Sequence, residues 1–63
     1  MFLVKFVRAD DFPDEEYLYH YESEAMHHFS LFDGDDSNLY SLIEVVKIVG
    51  NQEVQLAKMI LQY

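Results

Sequence analysis

Three histidines and a surplus of carboxylates are the side chains here that could move protons or hold a metal. The chain has 63 residues with no cysteine and only two glycines. Zinc needs ligands that converge in space. His27 and His28 are neighbours on an expected helix and point about 100° apart, so they form no pair. Glu24 and His28, four residues apart, share a helix face, and His20 could join them only across a close sheet. An ordinary surface pair of Glu24 with His28 accounts for the same spacing, and no metal is assigned. Asp14, Glu15 and Glu16 are adjacent carboxylates in a loop, where acids are normally solvated. No Ser-His-acid arrangement can be read from spacing, because triads are defined by geometry. Two glycines cannot make a phosphate cradle, and a chain this short has little room for a ligand cavity, whose lower limit is about 300 Å³. The expectation is a protein that is not an enzyme, with no catalytic residues and no cofactor.

Oxygen ligands are better supplied. Asp33, Asp35, Ser37 and Glu44 stand at the first, third, fifth and twelfth positions of a twelve-residue window, with the Leu39 carbonyl and a water on Ser41 completing a calcium shell. Over residues 33–44 the chain resembles the calcium loop of the EF-hand family. It departs from that pattern at Asn38, where the family has glycine, and at Tyr40, where the family has an aliphatic residue. The resemblance also implies a helix after the loop. The competing reading, an acidic turn with Glu44 on a solvated face, is preferred.

Twelve Asp and Glu residues against four Lys and Arg give a net charge of −8. The acids concentrate between Asp10 and Glu24 and again between Asp33 and Asp36, while the segments Phe2 to Val7, Leu39 to Val49 and Val54 to Leu61 are mostly apolar. This distribution describes a folded module with a negative rim. It disfavours nucleic acid and anionic membranes and favours a basic protein partner. Tyrosines beside the acids suit an interface. The candidate partner contacts are Asp10, Asp11, Asp14, Glu15, Glu16, Tyr17 and Tyr19. No run is long enough to cross a membrane as a helix, and the start of the chain does not read as a secretory signal. A cytoplasmic location is the expectation.

The elements that must position these residues can be read from periodicity. Phe2 to Arg8 alternates as a strand, Ala9 to Glu16 reads as a loop around Pro13, and Tyr17 to Tyr21 resumes alternation. Ser23 is a candidate N-cap, and Ala25, Met26, Phe29 and Phe32 give one apolar helical face ending near Asp33-Gly34. Leu39 to Val49 is rich in β-branched residues, and Gly50-Asn51 separates it from an alternating Gln52 to Leu61, as in a β-hairpin.

The predicted fold is α+β in the order β-β-α-β-β. A four-stranded, largely antiparallel sheet carries one helix on one face, in a single domain over residues 1–63. The alternative is an α-rich chain with helices at 23–33, 39–49 and 52–62, because residues 53–62 are good helix formers. Strand order is left open. The composition is 51% hydrophobic and 16% aromatic, which supplies a small core and a surplus that points to a homodimer. Two functions follow: a small acidic protein-binding or regulatory module, whose extreme form is a decoy offering carboxylates in place of phosphates, and a self-associating structural protein.

Overall fold

A computed structural model describes residues 1–61. Its elements are β1 (Phe2–Arg8), β2 (Glu15–Tyr19), α1 (Glu22–Ser30), β3 (Tyr40–Val49) and β4 (Gln52–Ile60). The strands form one four-stranded antiparallel sheet in the order β2-β1-β3-β4, so the α+β arrangement expected from periodicity is the one adopted. Residues 40–49 and 52–60 are strands, which removes the α-rich alternative; Gln62 lies outside the described residues. In the β3 run, β-branched side chains fit a pleated surface better than a helix, whose preceding turn restricts their rotamers.

β2 and β3 are both antiparallel to β1, and so run the same way on either side of it. The link between them must therefore cross the sheet, and α1 makes that crossing, packed on β1, β2 and β3. Its Ala25 is fully buried and meets Val4, Phe6, Ile43 and Val45, each at most 1% exposed. The pairs Val4–Val45 and Phe6–Ile43 are direct cross-strand partners, so one face of β1 and β3 supplies the core floor. Met26, Phe29, Phe32, Tyr40, Ala57 and Met59 close its margins.

The helix begins two residues earlier than a Ser23 cap implies. Its N-cap is Tyr21, extended and without a side-chain cap bond, and Ser23 lies inside the first turn. Tyr21 therefore does not continue the strand face of Tyr17 and Tyr19. Regular helix ends at Ser30, and turns carry the chain to Gly34, whose φ of 77° is the left-handed conformation expected of a glycine near a helix end.

Two bulges adjust the faces of the sheet. Ser41 is the extra residue where Val7 pairs with Leu42 and Arg8 with Tyr40. Leu56 is the extra residue where Val45 pairs with Ala57 and Val46 with Gln55. A bulge reverses the side on which later residues fall. The bulge therefore keeps Val54, Ala57 and Met59 on the helix-side face; Ala57 and Met59 join the core there, whereas Val54, toward the β3–β4 turn, stays exposed. The β3–β4 turn has φ of 60° at Gly50, the first central position, where a type II′ hairpin turn calls for glycine.

Candidate interaction surfaces

Loops 9–14 and 31–39 begin and end at the same edge of the core. β1 ends where β3 starts, and the Ala9 amide donates to the Leu39 carbonyl at 2.8 Å, tying the two loops together. Asp10, Asp11 and Asp14 from one loop and Asp33, Asp35 and Asp36 from the other thus share one end of the molecule. The two acidic stretches, remote in sequence, form a single aspartate-rich pole. Glu22 and Glu24, in the first turn of α1, lie toward the opposite end, where Phe2 pairs with Tyr19.

Arg8 organises the base of this pole. Its Nε donates to Asp10 Oδ1 at 3.1 Å, its Nη1 to Glu15 Oε2 at 2.7 Å, and its backbone amide to Asp14 Oδ1 at 2.9 Å. The guanidinium also stacks 5.5 Å from the Phe12 ring centroid and 5.3 Å from that of Tyr40. Glu15 collects further donors, Tyr17 Oη at 2.6 Å and Tyr40 Oη at 3.2 Å. The hydrogen bond from Tyr17 and then that from Arg8 hold the Glu15 carboxyl below its usual range, and Arg8 does the same for Asp10. The tyrosines respond in the other direction: bonding to Glu15 raises the Tyr17 phenol, and burial followed by the Glu15 charge raises that of Tyr40.

The candidate contacts therefore divide. Asp10 and Asp14 accept from Arg8 and the loop backbone and Glu15 from Arg8 and the two tyrosines, whereas no hydrogen bond to the Asp11 carboxylate is formed among the described residues. Tyr17 and Tyr19 share the helix-side face with Glu15, and Glu16 lies on the opposite face of β2, across from Lys5. Arg8 and Tyr40, which sequence spacing does not select, complete the cluster. Nothing local signals that Arg8 and Glu15 meet; the β1–β2 hairpin brings them together.

His28 is packed among rings. Its centroid lies 5.0 Å from Phe6, 5.0 Å from Tyr17, 5.7 Å from Tyr19 and 5.9 Å from Phe32. Its Nδ1 is 2.8 Å from Tyr19 Oη. Burial, with a smaller contribution from His27, lowers its pKa. The pairing of Glu24 with His28 is not formed; the ring turns inward to Tyr19. Tyr19, Ser23, Glu24, His27, His28 and Leu31 line an open cleft of about 400 Å³, and a second of about 410 Å³ lies between α1 and β4. These clefts are larger than chain length suggested, because they are surface grooves beside the helix. Among the described residues no hydrogen bond joins Ser23 to a histidine or carboxylate.

The calcium geometry is not assembled. Asn38 does take a left-handed φ of 62°, but the chain leaves the loop as β3, and Glu44 sits within the sheet, accepting from Gln55 Nε2 at 2.6 Å. Ser37 donates to Asp35 Oδ2 at 2.7 Å. Among the described residues no group of three or more His, Asp or Glu side chains is placed to hold a metal, and no helix is long and apolar enough to cross a membrane.

The sheet face away from α1 is a second surface. Leu3, Lys5 and Val7 of β1 lie there with Leu42, Glu44 and Val46 of β3. One row runs across every strand in register: Glu16, Lys5, Glu44, Lys58. A row on one side of it reads Leu18, Leu3, Val46, Gln55, and on the other Val7, Leu42, Ile60. Leu3 and Val46 are only 7% and 3% exposed, but Leu18 and Ile60 at the sheet margins are 59% and 54% exposed. Lys5 Nζ reaches Glu53 Oε1 at 2.6 Å, a bond that raises the Lys5 pKa. Family models, curated proteins and solved structures were all compared with this chain, and none matches.

Proposed function

We propose that the protein is a small protein-binding module that carries out no chemistry itself and presents its aspartate-rich pole to a basic protein. The observation that carries this reading is the convergence of loops 9–14 and 31–39 at one end of the fold. Carboxylates so gathered, with Arg8 as the cation among them, produce a directional field that draws a basic surface to that end. The tyrosines at its border supply the flat, amphipathic contact area that interfaces favour.

Asp11, Asp33 and Asp36 are the carboxylates to neutralise, because Asp10, Asp14 and Asp35 hold the loops together through their own bonds. An isotope-labelled sample titrated with an oligolysine peptide at low salt should show amide shifts confined to residues 9–14 and 31–39. The Asp11→Asn/Asp33→Asn/Asp36→Asn variant should bind at least about tenfold more weakly, with a shallower salt dependence. Glu22→Gln/Glu24→Gln, at the far end, should bind as the parent does. Equal loss in both variants would mean that net charge alone attracts the peptide, and the pole would not be the contact.

A further inference from the structure

The face of the sheet away from α1 has a charge order that is complementary to itself. From β2 to β4 the central row alternates in sign: Glu16, Lys5, Glu44, Lys58. A two-fold axis parallel to the strands, passing between β1 and β3, lays a second copy on this face with its strand order reversed. Glu16 then meets the partner copy's Lys58, and Lys5 meets its Glu44, so that all contacts along the row join opposite signs. In the flanking rows the two central strands meet apolar to apolar under the same axis, while Leu18 at the margin falls opposite Gln55 of the second copy. Leu3 falls opposite Val46 of the second copy, and Val7 opposite Leu42. A shift by one strand would set like charges against each other, so the row fixes a single register.

We propose that this face is a homodimer interface, closed by a second copy of the chain as a face-to-face sheet sandwich. Aligned sheets pack about 10 Å apart with strands within about 30° of each other, a gap that lysine and glutamate side chains from the two sides span together. The charge distribution of the whole chain selects a second copy as the occupant. At a net charge of −8 two copies repel each other over most of their surfaces. On this face Lys5 and Lys58 nearly balance Glu16, Glu44 and Glu53, and the repulsion is weakest here. The ion pairs set register, since paired charges taken out of water add little net affinity; the half-buried Val7 and Leu42 and the exposed Leu18 and Ile60 supply the attraction, Leu3 and Val46 being already covered within each copy. The footprint, four strands at about 4.8 Å spacing, is at the small end of stable interfaces, so a dissociation constant in the micromolar range or weaker is expected.

Exchange of charges at the margins of the row tests this geometry. Sedimentation equilibrium of the full chain from about 1 μM to 1 mM should show a monomer–dimer equilibrium. Glu16→Lys and Lys58→Glu should each weaken it at least about tenfold, because each places like charges opposite each other twice across the axis. Mixed in equal amounts, the two variants should form a heterodimer of near-parental affinity. The two introduced side chains then face each other with opposite signs, and the unchanged Lys58 of one copy faces the unchanged Glu16 of the other. Circular dichroism of each variant checks that the fold is retained, and Leu18→Asp, at an exposed margin, should also dissociate the dimer. A parent chain that stays monomeric throughout, or variants that fail to recombine on mixing, would overturn the proposal.

Discussion

His28 and Glu15 answer to pH at different points because their environments favour opposite charge states. The rings around His28 favour neutral imidazole, and its folded pKa lies below the ordinary 6.5. The unfolded chain therefore takes up a proton at a higher pH than the folded one, and folding weakens as pH falls below about 6.5. Glu15 is held ionised by Tyr17 and Arg8, so its contribution is present above the ordinary carboxylate value of 4.5 and fades as pH drops through its lower folded value. The two windows are separate. The melting temperature of the parent should fall between pH of about 7.5 and 5.5, and His28→Phe, which keeps an aromatic ring in place, should show a smaller fall. Equal falls in both proteins would locate the sensitivity at another group. The inward turn of His28 was not legible in the sequence, where its spacing from Glu24 suggested a surface pair. What decides the matter is Tyr19, whose hydroxyl approaches the ring only because β2 runs beside α1.

At the level of elements, the sequence was most readable where one local rule acted alone. The β-branched run of β3 and the glycine of the following turn both express backbone preference, and both were legible. Gly50 has a φ of 60° and open space around the place where a Cβ would stand. Substitution there meets only the backbone penalty, about 1–2 kcal/mol for an L-residue in the left-handed region. Gly50→Ala should lower the denaturant midpoint accordingly, and Asn51→Ala, at the second central position where φ is not positive, should lower it less. Equal losses would indicate that the turn does not keep this conformation. The ends of α1 were less legible because Ser23 has the chemistry of a cap, but the chain already turns at Tyr21. Convergence of the acidic loops could not be read at all. It depends on β3 pairing with β1, a strand more than thirty residues earlier in the chain, and no local pattern encodes that order. The balanced row on the open face was hidden for the same reason: Glu16, Lys5, Glu44 and Lys58 come from four separate strands.

For the molecule as a whole, opposite demands fall on opposite parts. A small domain buries roughly 60% of the surface its unfolded chain exposes, and this one concentrates that burial between α1 and β1–β3. β4 is left as the long margin of the sheet, with Val54, Leu56 and Ile60 each 39% exposed or more. A margin of that length and composition is a template on which further chains could add strand by strand into a fibril. The irregularity at Leu56 interrupts the template, because a bulge bends the strand and puts its amides out of step with an incoming one. Deleting Leu56 would leave Gln55 and Ala57 opposite the same β3 partners while straightening the margin. Such a variant should fold, yet show a shortened lag in thioflavin-monitored fibril growth relative to the parent. An unchanged lag would mean that the acidic charge of the chain, and not the kink in β4, is what keeps this protein from polymerising.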